Sequence, residues 1–200
     1  MRNIGNSSRE AKRRLRKVIF IDRDGVINHD PLDGYVTNWK DFRFLPGVLP
    51  ALKKLTRAGY AIVIVSNQAG IGDGVYSKKV LQEITKKMLA RMKRSRIKIH
   101  GIFYCLHGKR AGCNCRKPKT GLFRQAARKI YFKPSETYFI GDKMSDVLAG
   151  KRFGLKTAFV LTGHGKIHFR KLNLKTKPDL VAKNLWDATC LLLAHGFQTS

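Results

Sequence analysis

The 200-residue sequence predicts an α/β fold, a doubly wound parallel sheet with helices on both faces. Apolar runs of strand length alternate with stretches of helical periodicity, which is the pattern of repeated strand–helix units. Several apolar runs end directly in a polar residue, and ligand sites of doubly wound sheets form beyond the carboxyl ends of the strands. We therefore expect one Rossmann-like domain over residues 17–196, preceded by a basic, flexible N-terminal arm over residues 1–16.

The strands are predicted from continuous apolar runs, which are typical of strands buried on both faces of a sheet. The first run reads KVIFID and the second AIVIVSN. In chain order, the predicted strands cover residues 17–22, 61–67, 99–105, 137–142 and 156–163.

The helices are predicted from apolar residues at helical spacing and from signals at their ends. The first repeats Val48, Leu52 and Leu55 and stops at Gly59. The second begins after the capping residue Ser77 and has a very basic outer face. In chain order, the predicted helices cover residues 46–60, 77–96, 120–131, 145–154 and 185–196. No large insert interrupts this series, so we expect no large cap domain.

The composition is strongly basic. Lysine and arginine number 41 against 13 aspartate and glutamate residues, a formal net charge of +28. Such a charge attracts polyanions such as nucleic acid, but a basic bias without functional meaning explains it equally well, and nucleic acid is not the favoured partner. The sequence contains no apolar run long enough to span a bilayer and no secretory signal at its basic N-terminus. We therefore expect a cytoplasmic monomer.

Charged and polar residues stand at four separate places where predicted strands or loops end. Asp22 and Asp24 are two positions apart in an extended segment, so their side chains point to the same side and can face one ligand. Together with Asp142 they offer the hard oxygen ligands that suit Mg²⁺, and the cations Arg116 and Lys117 suit a phosphate. A metal ion, a phosphate and a spare carboxylate predict phosphoryl transfer through an aspartyl-phosphate. The remaining polar residues at these ends are Ser66, Asn67 and Lys143.

A second cluster lies in the segment CLHGKRAGCNC. Cys105, His107, Cys113 and Cys115 provide three thiolates and one imidazole, which form a full tetrahedral set for structural Zn²⁺. Without a secretory signal, such a tight cluster indicates metal binding before disulfides, although free or buried cysteines are the simpler alternative. We expect a zinc ion to clip this loop immediately before Arg116.

The motifs DRDGV, SNQ, RKP and GDKMSD, in this order, resemble the four motifs of the haloacid dehalogenase (HAD) superfamily of phosphatases. The resemblance covers residues 17–190 and is strongest to the family of D-glycero-D-manno-heptose-1,7-bisphosphate 7-phosphatases and histidinol-phosphate phosphatases. It implies a Mg²⁺-dependent phosphatase with the HAD fold and a phosphorylated small-molecule substrate, most specifically the 7-phosphate of the heptose bisphosphate. The heptose phosphatases also carry the C-x-H and C-x-C pairs, with a longer span between them in many members.

The resemblance also assigns roles to individual residues. It implies that Asp22 is the nucleophile and Asp24 the general acid and base. Mg²⁺ would be held by the Asp22 carboxylate, the Asp24 backbone carbonyl and Asp142. Lys117, with Arg116, would stabilise the charge of the phosphoryl group. Ser66 and Asn67 would bind that group. Lys143 would lie at the phosphate and would support the metal site together with Asp146.

Three alternatives stay open at this point. Histidinol phosphate is a substrate of the same reaction class. A polynucleotide 3′-phosphatase shares the aspartate motif and a run similar to NQAGIGDG, residues 67–74, and the charge of +28 favours it, whereas the zinc cluster argues against it. A non-catalytic basic binding protein is the most distant alternative, because Asp22, Asp24, Lys117 and Asp142 are all present.

Overall fold

The computed structural model describes residues 15–31 and 34–194 of the chain. Six strands form one parallel sheet in the order β3-β2-β1-β4-β5-β6. The strands are β1 (Val18–Ile21), β2 (Ala61–Asn67), β3 (Ile99–Cys105), β4 (Tyr138–Gly141), β5 (Lys156–Val160) and β6 (Leu180–Ala182). This order, with its reversal beside β1, is that of doubly wound sheets and confirms the predicted fold class.

Helices cover both faces of the sheet. They are α1 (Val48–Arg57), α2 (Ala69–Gly72), α3 (Lys78–Arg94), α4 (Gly121–Ala127), α5 (Met144–Phe153), α6 (Gly165–Phe169) and α7 (Leu185–Ala194). Two 3₁₀ turns, Pro134–Glu136 and Leu174–Thr176, complete the described elements. No helix within the described ranges is both long and apolar enough to cross a membrane.

Alternation of side chains along β1 divides the core into two layers. Ile19 and Ile21 belong to the layer that contains α1, α3 and α7, whereas Val18 and Phe20 belong to the layer with α4 and α5. In the second layer, the ring of Phe20 packs edge-on against that of Phe123, 5.1 Å between centroids. Both faces of β1 are therefore buried, which is why its sequence is continuously apolar.

The predicted elements are found with ends shifted by a few residues. The predicted helix 185–196 runs two residues past the described part of the chain. The elements β6, α2 and α6 were not predicted, because pieces of three to five residues are too short to show a period. The predicted arm over residues 1–16 lies outside the described residues except at its end, where the Arg16 amide donates to the Tyr131 carbonyl at 3.1 Å.

The sheet order fixes where a site can form. β1 pairs with β2 on one side and with β4 on the other. The connections that follow β1 therefore run to one side of the sheet, and those that follow β4 run to the other. A crevice opens at this reversal outside the carboxyl ends of β1, β2 and β4. The segment 22–47 follows β1 without a regular helix or strand among its described residues, and they form no separate cap over the crevice.

Candidate active site

A buried lysine lies between two carboxylates at the centre of the crevice. The Lys117 ammonium is 3.0 Å from Oδ2 of Asp22 and 2.7 Å from Oδ1 of Asp146, and it donates to the Val65 carbonyl at 3.2 Å. All three charged side chains are almost fully buried. The two carboxylates raise the pKa of Lys117 against the opposing effect of burial, so this group stays charged.

Asp22 directly follows β1, and its carboxylate has few hydrogen-bond donors around it. Oδ1 accepts from the amide of Arg23 at 2.8 Å, and Oδ2 faces Lys117. Burial raises the pKa of Asp22 to about 6, although Lys117 acts in the opposite direction. An ionised Asp22 is thus a poorly solvated carboxylate at the edge of a pocket, which suits a nucleophile.

Asp142 follows β4 and is enclosed by backbone. Its Oδ2 accepts from the His164 amide at 2.8 Å, whereas the buried Oδ1 has no hydrogen-bond partner. Gly25 and Gly163 both have positive φ, and a Cβ at either would collide with this carboxylate. Both glycines are therefore needed to bring the backbone close to Asp142.

These carboxylates fit a divalent cation. One oxygen from each of Asp22, Asp142 and Asp146 lies within 4.8 Å of the other two. Burial raises the pKa of Asp142 well above its usual range, so three buried acids need more positive charge than Lys117 supplies. The unpartnered oxygen of Asp142 and an all-oxygen donor set match the preference of Mg²⁺. Asp146, expected only to support the metal site, contributes a carboxylate directly to this group.

Asp24 lies apart from that group and is held by three side chains. Arg23 forms a bidentate ion pair with it, with contacts of 2.8 to 3.0 Å. Asn28 donates to Oδ1 at 2.9 Å and Gln68 to Oδ2 at 2.7 Å. Burial alone would raise the pKa of Asp24, but Arg23 and the hydrogen bonds outweigh it and lower the pKa. Its carboxylate does not join the cation-binding group of described residues.

The two predicted phosphate ligands at the end of β2 differ in position. Ser66 is buried, lines the pocket and accepts a hydrogen bond from Gln68 at 3.1 Å. The Asn67 amide instead pairs with the backbone of Lys117 through two hydrogen bonds of 3.0 and 3.1 Å. Asn67 thus ties β2 to the loop that carries Lys117, although it also lines the pocket.

The other two predicted cations also line the pocket. Arg116 lines the pocket, and its buried Nη1 has no hydrogen-bond partner. Lys143 also lines the pocket and donates to Asp30 at 2.7 Å. The same Asp30 oxygen is 3.2 Å from Nε2 of His164, so Lys143 reaches the pocket as part of a polar cluster.

The Cys105, His107, Cys113 and Cys115 side chains converge as predicted. Their S–S separations are 3.2, 3.5 and 3.6 Å, and Nδ1 of His107 lies 3.2 and 3.7 Å from two of the sulfurs. Tetrahedral Zn²⁺ with bonds of about 2.1 to 2.3 Å separates its ligands by roughly 3.5 to 3.8 Å, close to these values. All four cysteines of the chain are free thiols. The cluster therefore fits zinc and no disulfide.

The loop that holds this cluster, residues 105–115, is docked against α2. A Cβ on Gly72 would collide with the backbone of Gly108, so the two segments touch through glycines. Asp73 accepts from the Lys109 amide at 3.1 Å and fastens the contact. Since α2 begins two residues after Asn67, the docked loop is connected to the pocket residues Ser66 and Asn67 at the end of β2.

The pocket has a volume of about 610 Å³, within the range of small-ligand sites. All seven predicted catalytic and phosphate-binding residues line it, whereas Asp142, predicted as a metal ligand, is not among the lining residues. Sequence reasoning missed several other lining residues, because they occur in segments without a regular period. The missed residues are Arg23, Asp30, Gln68, Tyr76 and Lys109. Arg23 could have been noticed as a charge inside the DRDGV motif.

Comparisons with known proteins show which family the chain belongs to. A family model described as HAD-hydrolase-like matches residues 114–188. The chain is 38% identical over 179 residues to a D-glycero-beta-D-manno-heptose-1,7-bisphosphate 7-phosphatase of Haemophilus ducreyi, covering 86% of this chain and 96% of that protein. It is 37% identical over 147 residues to the Helicobacter pylori J99 protein of the same name, covering 73% of this chain and 83% of that one.

Solved structures give the same result. A D,D-heptose 1,7-bisphosphate phosphatase from B. bronchiseptica, crystallised with magnesium and phosphate, superposes with a TM-score of 0.82 at 30% identity, covering 90% of this chain and 99% of that one. The corresponding enzyme of Burkholderia thailandensis superposes with a TM-score of 0.69 at 27% identity over the same shares. The fold, the site and these similarities place the chain in the HAD family of phosphatases, in the group that includes the heptose-1,7-bisphosphate 7-phosphatases.

Proposed function

We propose that this phosphatase removes the 7-phosphate of D-glycero-β-D-manno-heptose 1,7-bisphosphate. The observation that carries the proposal is the buried arrangement of Asp22, Lys117 and Asp146 beside Asp142 at the pocket. It combines a desolvated nucleophile, a fixed cation and a carboxylate set for Mg²⁺. The substrate is supported by the names of relatives that this chain matches over most of their length.

In the proposed first step, an oxygen of Asp22 attacks phosphorus and the bond between phosphorus and the sugar oxygen breaks. Asp24 gives its proton to the leaving oxygen, so the sugar departs as an alcohol. Lys117 offsets negative charge on the transferring group, and Ser66 and Arg116 bind its other oxygens. Mg²⁺, held by Asp22, the Asp24 carbonyl, Asp142 and Asp146, would supply further charge neutralisation at the phosphoryl group.

In the second step, water attacks the aspartyl-phosphate. Asp24, now ionised, takes a proton from the water, and the bond between phosphorus and the Asp22 oxygen breaks. Inorganic phosphate leaves and Asp22 is restored. The lowered pKa of Asp24 favours its ionised form and therefore suits this step.

We also propose that the cluster of Cys105, His107, Cys113 and Cys115 binds one structural Zn²⁺. Its four donors leave no open position for a reacting ligand, so the ion would hold the loop in place and take no part in the reaction. Burial raises the pKa of Cys105 to about 12, and a bound cation would be needed to keep this sulfur as a thiolate at neutral pH. Zinc would then fix the loop directly before Arg116.

The test is phosphate release in Mg²⁺ from three substrates: the heptose 1,7-bisphosphate, histidinol phosphate and a DNA end with a 3′-phosphate. The Asp22→Asn protein is the control, since it keeps the shape of the side chain and loses the nucleophile. We expect the heptose to be preferred at least about tenfold in kcat/KM, a difference of about 1.4 kcal/mol in transition-state binding. Preference for the DNA end, which the net charge of +28 would favour, would overturn the proposed substrate.

A further inference from the structure

The residues around Asp24 form a chain of hydrogen bonds that the mechanism above does not use. The Tyr76 hydroxyl donates to Oε1 of Gln68 at 2.6 Å. The amide nitrogen of Gln68 donates to Oδ2 of Asp24 at 2.7 Å and to Oγ of Ser66 at 3.1 Å. Gln68 and Ser66 are almost fully buried. Gln68 therefore contacts both the proposed acid and base and a proposed phosphate ligand.

The direction of these bonds depends on Tyr76. A glutamine amide can present either its NH₂ group or its oxygen to a neighbour, and only the NH₂ group attracts a carboxylate. The Tyr76 hydroxyl holds the oxygen of Gln68 on the far side, so both NH₂ donors point to Asp24 and Ser66. Without that hydroxyl, the Gln68 amide could rotate by 180° and place its oxygen next to the Asp24 carboxylate, where two acceptors repel.

Several donors hold the Asp24 carboxylate. It receives five contacts of 2.7 to 3.0 Å, three on Oδ1 and two on Oδ2, and Nη2 of Arg23 contacts both oxygens. The Arg23 and Asn28 donors fix Oδ1. The position of Oδ2 is left to Gln68 and one Arg23 nitrogen, so Gln68 decides where that oxygen meets the pocket.

We propose that Gln68, oriented by Tyr76, is a positioning residue that aims the Asp24 carboxylate at the leaving oxygen and at the attacking water. Neither residue exchanges a proton with the substrate. This role rests on the proposed function, because it assumes that Asp24 transfers the protons.

The first test is Tyr76→Phe, which deletes one oxygen and keeps the ring that packs on Gly70. We expect kcat on the heptose bisphosphate to fall roughly tenfold with KM nearly unchanged, since the buried hydrogen bond that orients the Gln68 amide is lost. Tyr131→Phe is the matched control, because this tyrosine is half exposed and lies outside the pocket. Its kcat should equal that of the unaltered protein.

p-Nitrophenyl phosphate separates positioning from a general loss of structure. p-Nitrophenolate leaves without needing a proton, so formation of the aspartyl-phosphate should stay fast in Tyr76→Phe. Its hydrolysis still depends on Asp24, so the variant should release a burst of about one p-nitrophenolate per enzyme before slow turnover. A merely structural defect would slow the burst phase as well.

A double variant tests whether Tyr76 acts through Gln68. Gln68→Met keeps the length of the side chain and removes its donors, and it should lower kcat at least as much as Tyr76→Phe. If the pathway is right, the double variant is no slower than Gln68→Met alone. If the kcat losses of the two single variants instead multiply in the double variant, Tyr76 does not act through Gln68. Unchanged kcat in both single variants would also overturn the proposal.

These outcomes also distinguish the two proposals. If the unaltered protein hydrolyses p-nitrophenyl phosphate but not the heptose bisphosphate, the substrate is wrong, and the burst experiment still decides the role of Gln68. If the heptose is hydrolysed and the variants show neither a burst nor a lower kcat, the positioning role is wrong and the substrate stands. Thermal melting of each variant shows whether it is folded. If Tyr76→Phe is unfolded, the burst of Gln68→Met decides.

Discussion

At the scale of single residues, the site is a problem of buried charge. Lys117 is the buried cation among the carboxylates of Asp22, Asp142 and Asp146, and its ammonium lies within 3.0 Å of two of them. Removing one partner from a buried ion pair leaves the other charge uncompensated, which costs about 3 to 5 kcal/mol. Lys117 is therefore expected to contribute to folding as well as to the proposed catalysis.

Lys117→Met keeps the length of this side chain and removes its charge. We predict an activity loss of at least about 100-fold and a lower melting temperature, with a free-energy loss of about 3 kcal/mol. Added Mg²⁺ should recover part of the melting temperature, because it neutralises the same carboxylates, but not the activity. Thermal unfolding with and without Mg²⁺ measures this, and Lys79→Met on the exposed face of α3 is the control. A normal melting temperature in Lys117→Met would contradict the argument.

The buried Asp22 also predicts a pH dependence. Burial, opposed by Lys117, raises its pKa from the usual 3.8 to about 6. Between these values the folded metal-free protein binds more protons than the unfolded chain, so its stability falls as pH rises through this window. Mg²⁺ bound to the ionised carboxylate would remove that penalty. We predict that Mg²⁺ raises the melting temperature more at about pH 7.5 than at about pH 5. Equal shifts at both pH values would refute it.

The individual residues of the site were predictable where a buried strand precedes them. Asp22 and Asp142 directly follow β1 and β4, and Ser66 lies within the last two residues of β2. Parallel strands bring these ends together. Gln68 precedes the four-residue α2 and Tyr76 follows it, and no period there reveals which side chains turn toward Asp24. Their contribution depends on hydrogen bonds between distant parts of the chain, and a sequence pattern carries no such information.

At the scale of elements, the cysteine loop is the part whose position depends most on a ligand. Beyond Cys105, the last residue of β3, it has no regular secondary structure. Apart from its four predicted metal donors, it is held by the Gly72–Gly108 contact, the bond from Lys109 to Asp73, and hydrogen bonds from Gly121 to Asn114 and from Lys119 to Gly112. A loop of this kind has little buried apolar surface to order it. Zinc is expected to supply that order.

We predict about one zinc per purified chain by metal analysis. Cys115→Ser removes a donor next to Arg116, so this protein should lose zinc and most activity while its circular dichroism, set by the sheet and helices, stays nearly unchanged. Cys190→Ser is a matched control, because Cys190 lies on α7 outside the cluster, and it should keep both zinc and activity. Full activity in a zinc-free Cys115→Ser protein would exclude the role given to the metal.

Among the elements themselves, long periodic segments were predicted and short ones were not. The 17-residue α3 repeats its buried positions Leu81, Ile84, Met88 and Met92, and its Ser77 cap accepts from the Val80 amide. β6 has three residues and one exposed side chain at its centre, so its strand character arises from pairing with β5. Tertiary contacts decide the structure of such segments.

At the scale of the whole molecule, charge is distributed unevenly. Five of the thirteen acidic residues lie at the site, namely Asp22, Asp24, Asp30, Asp142 and Asp146. The remaining surface is therefore dominated by lysine and arginine. α3 alone exposes seven basic side chains beside one glutamate. This distribution does not determine the fold, but a surface so rich in positive charge is expected to attract anionic ligands to the enzyme.

This positive charge predicts how salt affects the enzyme. Between about 20 and 200 mM salt the screening length falls from roughly 20 Å to below 10 Å, so distant lysines stop acting on an approaching substrate. We predict that kcat/KM for the heptose bisphosphate falls several-fold over this range, while kcat, which reflects the bound state, changes little. Triple charge reversal on α3, with Lys79, Lys86 and Lys93 changed to Glu, should reduce kcat/KM at low salt and flatten its salt dependence.

The control substrate is p-nitrophenyl phosphate, whose single phosphate should make its kcat/KM less sensitive to salt than that of the bisphosphate. A kcat/KM independent of salt would mean that the net charge has no part in substrate capture. A DNA end, with many phosphates in contact, would instead show a far steeper dependence on salt.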